Sequence, residues 1–208
     1  KHDTDNEEEI YTFQEKIFNG YAFQFSPEGI LIDESYFHYG CIDTPCRKWY
    51  NSGLMMESDL NEETLEWHPN GQLKNRKIFD SDKGGTLFRI NFDELGKLRY
   101  LDLSELYAFN IHELDTVVFS DQLGLSGDAM NDQVLEILSK NSRLSDVTFL
   151  DISSTSISGC KIISIINDNI IDLELTANEQ MESSIVDKIT EKFPKCKVYY
   201  NDRKYLNL

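Results

Sequence analysis

The chain has 208 residues, of which 40% are hydrophobic and 12% aromatic, enough for one domain or two small ones with a real core. Thirty-seven acidic residues against 20 basic ones leave a formal net charge of −17, a field that repels nucleic acid and anionic membrane and speeds encounter with cationic partners. No apolar run is long enough to span a bilayer, so neither nucleic acid nor membrane is expected as a partner.

Residues 1–10 form a polar lead-in with the run Glu7-Glu8-Glu9, expected to be solvated. It lacks a signal-peptide pattern, and the expected location is the cytoplasm. A chain that opens on Lys1 leaves a removed leader, and with it a periplasmic or surface location, open.

Residues 11–100 repeat a short pattern. Phe25-Ser-Pro-Glu-Gly29, Trp49-Tyr-Asn-Ser-Gly53, Trp67-His-Pro-Asn-Gly71 and Phe92-Asp-Glu-Leu-Gly96 each place an aromatic four residues before a glycine. An aliphatic follows within two residues: Ile30, Leu54, Leu73 and Leu98. A glycine there supplies the positive φ of a hairpin turn, and the flanking residues anchor the two strands. Alternation in Tyr21-Ala-Phe-Gln-Phe25 and Leu87-Phe-Arg-Ile-Asn-Phe92 predicts strands with one buried face. Trp49, Tyr50 and Trp67 are either hairpin core, the favoured reading, or exposed stacking residues. The segments Lys48-Trp-Tyr-Asn-Ser-Gly53 and Glu66-Trp-His-Pro-Asn-Gly-Gln-Leu73 resemble MORN-variant repeats of the YwqK antitoxin type. That resemblance covers about the first half of the chain, and implies a run of β-hairpins with a binding or antitoxin role and no catalytic residues.

Residues 101–208 change period. Val147-Thr-Phe-Leu150-Asp-Ile152-Ser-Ser-Thr155 aligns with Ile170-Ile-Asp-Leu173-Glu-Leu175-Thr-Ala-Asn178, both fitting the strand and turn of a leucine-rich repeat. Looser copies start at Leu98 and Leu114, and Lys197 to Tyr200 reads as the terminal strand, capped by the tail from Asn201. Helices are expected over 128–140, with Asp128 or Asn131 as cap, over 159–166 and over 182–193, stopping before Pro194. The fold class is therefore an α+β repeat protein: antiparallel MORN-like hairpins, then a short leucine-rich repeat array of parallel strands and helices.

In an L-x-L strand the middle residue points away from the core. That register places Asp102, Asp151 and Glu174 as a row on the open face, flanked by Phe149 and Ser153 in one copy and Asp172 and Thr176 in the next. Like charges side by side on a sheet are destabilising. The row is either a solubilising surface or a binding face for a basic partner, with Phe149 and Tyr199 as aromatic anchors; Tyr200 is assigned to the core.

No catalytic motif stands out: there is no G-x-S-x-G, H-E-x-x-H, P-loop or dinucleotide-binding glycine pattern. His38, Cys41, Cys46 and His68 match no structural-zinc spacing, and Cys41 and Cys46 could instead bridge a local loop. Cys160 and Cys196 read as core fillers. The chain is expected to be no enzyme and to use no metal or cofactor. The expected function is a bacterial immunity protein or antitoxin that binds a basic toxin, such as a nuclease; a surface or periplasmic adhesion or scaffold module is the alternative.

Overall fold

The computed structural model describes residues 10–82, 84–178 and 181–200, together with the backbone of 203–205. Apart from Ile10, the acidic lead-in lies outside the described residues. The chain falls into two compact units, Lys1–Leu73 and Lys74–Leu208.

The first unit opens on a small antiparallel pair, β1 (Thr12–Phe13) and β2 (Lys16–Ile17). Five strands follow: β3 (Gly20–Phe25), β4 (Leu31–His38), β5 (Cys41–Trp49), β6 (Met55–Leu60) and β7 (Glu63–Trp67). Each pairs antiparallel with the next. The glycine turns have one geometry. Ser26, Tyr50 and His68 each donate from the backbone to the carbonyl four residues on, at 2.8, 2.9 and 2.8 Å, and accept from the glycine N–H three residues on. Gly29, Gly53 and Gly71 sit at φ 82°, 82° and 83°, which is why glycine recurs there. A fourth such turn, Asp93 to Lys97, recurs in the second unit.

Register sorts the first unit into two unlike faces. Phe23, Glu34, Arg47, Ser58 and Leu65 oppose one another in a row, with Tyr21 opposite Tyr36 beside it. The other face carries Gln24, Asp33, Lys48, Glu57 and Glu66 in one row and Ala22, Ser35, Cys46, Asp59 and Thr64 in the next. One face thus carries the aromatics, interrupted by the Glu34–Arg47 pair and Ser58, and the other is polar and acidic. The described residues of this unit form no helix, and within the unit Phe37 is the buried hydrophobic residue. The rings of Tyr11 and Phe18 pack on it at 5.0 and 5.4 Å. Gly40 lets that arm close: a Cβ there would stand 2.7 Å from Ile10 and 2.9 Å from the Tyr11 carbonyl. The buried face expected for Tyr21 to Phe25 is corrected, since Tyr21, Phe23 and Phe25 are 47%, 55% and 58% exposed. The alternation is real, but the described residues of the unit contribute no layer to cover it.

The second unit continues with β8 (Leu73–Asp80), β9 (Gly85–Phe92) and β10 (Leu98–Leu103), still antiparallel. The pairing then turns parallel through β11 (Phe119–Ser126), β12 (Phe149–Asp151), β13 (Asp172–Glu174) and β14 (Lys197–Tyr200). β15 (Arg203–Tyr205) pairs antiparallel with β14, so the tail covers the terminal edge as expected. Three helices connect the parallel strands in turn: α1 (Asp132–Leu138), α2 (Gly159–Ile165) and α3 (Ser183–Lys192). Leu123, Leu150, Leu173 and Val198 stand in register and fully buried, against Val134, Leu138, Ile162, Val186 and Ile189 from the helices. Phe88 and Ile90 of β9 join this core. The fold is α+β, with antiparallel hairpins preceding parallel strands and helices.

Three local expectations change. The strand expected from Leu114 is a 3-10 turn over Ile111–Asp115, begun by Asn110 accepting from the His112 N–H, and the strand starts at Phe119. Period-2 burial begins there, at Leu123 and Leu125. α1 is shorter than 128–140 because Asn131 caps it, its Oδ1 accepting from Gln133 and Val134, while Met130 is buried ahead of the cap. Cys160 is exposed, on the side of α2 opposite Ile162, whereas Cys196 is buried. No helix among the described residues is long and apolar enough to cross a membrane.

Candidate partner-binding face

β12, β13 and β14 bring most of the expected site residues together. Asp151, Glu174 and Tyr199 are direct neighbours across the three strands, and Phe149, Asp172 and Lys197 form the next row. Parallel strands of three or four residues between helices leave little freedom in register, so these side chains are held at about one strand spacing, roughly 5 Å. Ser153 donates to Asp151 Oδ1 from its N–H at 2.9 Å and its hydroxyl at 2.5 Å. Thr176 Oγ1 lies 3.2 Å from Ser153 Oγ. Asp172 is held by Lys197 at 3.8 Å and by the Tyr199 hydroxyl at 3.4 Å. Glu174 Oε1 is buried without a hydrogen-bond partner among the described residues. Phe149 is exposed at the edge of the cluster.

Asp102 does not belong to that row. Asp151 faces Gly124 of β11, which faces Tyr100 of β10, while Asp102 faces Ser126. The expected three-carboxylate row missed β11, a whole strand between them. Tyr100 lies over Gly124, where an added Cβ would stand 2.8 Å from the ring, and its hydroxyl is 2.7 Å from Ser126 Oγ. Asp102 sits in this pocket of polar groups. Burial raises its carboxyl above the usual aspartate value, against the Arg89 charge and hydrogen bonds from Ser126 and Tyr100 that pull it down. The site is therefore a compact patch on β12–β14, with Asp102 a separate feature.

Three asparagines, Asn141 and Asn178 buried and Asn167 half-buried, hold the turns around this patch; the repeat pattern included Asn178 but not this role, and not Asn141 or Asn167. Asn178 Oδ1 accepts from the N–H and hydroxyl of Thr155, both at 2.9 Å, and its Nδ2 donates to Ile152 and Leu175 carbonyls at 2.7 and 3.1 Å. Asn141 donates to the carbonyls of Leu114 and Val117 and accepts from Arg143. Asn167 does the same one repeat later, donating to Leu144 and accepting from Asn169. Each saturates carbonyls that the turns leave without a strand partner. The 26-residue interval from Asn141 to Asn167 was the available signal.

Cys41 and Cys46 both lie on β5 with no disulfide between them, and His38 stands 3.9 Å from Asp43. No group of three potential ligands gathers among the described residues. Burial, with a smaller contribution from Asp172, pushes the Cys196 thiol up to about 11, which keeps it protonated and unreactive.

No family model matches the chain, and no curated protein matches it. Among solved structures it is similar to TarM, at 11% identity and a TM-score of 0.28 over 86% of this chain and 39% of that one. It is also similar to accessory secretory protein 1,2 and 3 of Streptococcus pneumoniae, at 13% identity and a TM-score of 0.25, over 89% and 42%. A GtfA/B complex bound to UDP and GlcNAc matches at 12% identity and a TM-score of 0.22, over 96% and 59%. The chain thus spans about two fifths to three fifths of the structures it matches. The expectation that it is no enzyme is corrected here: these matches are glycosyltransferases, and the expectation is withdrawn. At such TM-scores the likeness assigns this chain no activity or fold of its own.

Proposed function

We propose that the chain recognises a cationic protein, as an immunity protein or antitoxin that neutralises a basic toxin. The observation that carries this reading is the outward patch on β12–β14: Asp151, Asp172 and Glu174 beside Phe149 and Tyr199. Adjacent carboxylates on a sheet cost stability, and Glu174 Oε1 is left without a hydrogen-bond partner. An arginine or lysine from a partner would offset both costs, with the two aromatics supplying contact area. Four turns of one geometry, closing on Gly29, Gly53, Gly71 and Gly96, support a MORN-variant reading of the hairpins. The in-register leucines and the Thr155–Asn178 pair support a leucine-rich-repeat reading of the parallel strands. The thiols of Cys46, Cys160 and Cys196 suit the reducing cytoplasm.

The test is a pull-down from the native organism, taking the product of the neighbouring reading frame first, followed by association kinetics. Replacing both Asp151 and Glu174 by Lys is expected to slow association at low salt by about tenfold or more. An unchanged on-rate would remove the acidic patch from the binding face.

A further inference from the structure

The β3 edge of the first unit combines three properties. Among the described residues β3 pairs with β4 alone, so its outer N–H and C=O groups form an open row. Its sequence, Gly20-Tyr-Ala-Phe-Gln-Phe25, has no charge and no proline, two of the devices by which edge strands are usually blunted, and its register shift against β4 falls at its end, between Gln24 and Phe25. Tyr21 and Phe23 stack at 6.3 Å on one face and stay about half exposed. With Phe25 they offer roughly 300 Å² of aromatic surface.

Charge decides what fits there. Residues 1–73 carry fifteen acidic and four basic side chains, a formal net charge of −11, while the larger remainder carries only −6. Two of those four bases are already in ion pairs, Arg47 with Glu34 and Lys48 with Glu57, both at 3.1 Å. A second copy docking edge to edge would bring two such fields together, and the lead-in, with five carboxylates between Asp3 and Glu9, matches neither the charge nor the aromatic face.

We propose that β3 takes up an extended segment of a partner protein as an added strand, one whose residues alternate between apolar and cationic. Its apolar side chains would lie beside Tyr21 and Phe23. Its lysines or arginines would fall on the opposite face, beside Gln24 and toward Asp33. Backbone pairing supplies affinity, and the alternation supplies selection. The inference goes beyond the function proposed above. It stands on β3 and the first unit's charge, not on the carboxylates of β12–β14, so failure of either leaves the other intact.

The probe is a synthetic peptide of about eight residues alternating valine and lysine, long enough for one strand, added to the full chain. Expected are saturable binding that weakens with salt, slower amide exchange at Tyr21 to Phe25, and no binding of the valine–glutamate counterpart. Phe23→Lys should weaken binding by about tenfold or more, and Phe25→Lys serves if that variant fails to fold. Exchange on the unaltered protein needs no variant at all. Equal binding of the glutamate peptide, or unchanged exchange along β3, would overturn the proposal. So would a dimer broken by Phe23→Lys, which makes a second copy the occupant, or binding that appears only after removal of residues 1–9.

Discussion

In the first unit, five strands follow one another through tight turns, and nothing among its described residues shields their aromatic face. In the second, strands of the same pleat are joined by helices, and Leu123, Leu150, Leu173 and Val198 vanish beneath them. The difference lies in the connections. A two- to five-residue turn returns the chain at once and brings no layer with it, whereas a crossover helix brings its own apolar stripe to the sheet. The first unit accordingly depends on cross-strand pairs, such as Tyr21 with Tyr36 and Arg47 with Glu34. The second depends on burial. The same contrast separates roles: an uncovered face is available for a partner, and a covered one positions residues on its far side.

The contrast breaks most directly at a core leucine. Leu173→Ala, beneath the carboxylate patch, is expected to cost about 2–5 kcal/mol of unfolding free energy through lost burial and the cavity left. Phe23→Ala, on the uncovered face, should cost less than about 1 kcal/mol. Equal losses in urea melts would mean that the first unit buries its aromatics in solution. A smaller effect sharpens the picture from the polar side. Asn178→Ala strands the Leu175 carbonyl and the Thr155 N–H, and leaves the Thr155 hydroxyl and the Ile152 carbonyl only their 3.3 Å bond to each other, a loss of about 2–3 kcal/mol. Backbone exchange should quicken around Thr155 and Leu175 before it does so in β9. A uniform change across the unit would count against a local role for the asparagine.

The turns were legible because glycine at positive φ has few substitutes: the aromatic-x-x-x-Gly spacing located all four. The parallel strands were legible from L-x-L, and the inward register of Leu150 on Leu173 follows from it. What the pattern could not carry was what lies between matched strands. β11 has Gly124 opposite Asp151, because the Tyr100 ring from β10 occupies that space. Leu123-Gly-Leu125 is itself an L-x-L, but a pattern keyed to an acid between the leucines passes over it, and so Asp102 was placed beside Asp151. The exposure of Tyr21 to Phe25 was illegible for another reason. Alternation reports that a strand has an apolar side, not that anything covers it.

Asp102 gives the finest test of how the outer surface of the second unit is built. Burial is the leading influence on its carboxyl and raises its pKa above 3.8, while the charge of Arg89 is the next and opposes it. A carboxyl raised in the folded state holds its proton where the unfolded chain has already released it. Folding stability therefore falls as pH rises from 3.8 through the raised value, and the deficit persists at neutral pH. Asp102→Asn keeps an acceptor for Ser126 and Tyr100 but cannot ionise. The variant should gain on the wild type between about pH 3.5 and pH 7, by less than about 1 kcal/mol because the group is partly solvated and screened. Urea unfolding across that range measures the difference. A variant that instead loses ground as pH rises would show that attraction to Arg89 outweighs desolvation, making Asp102 half of a stabilising pair.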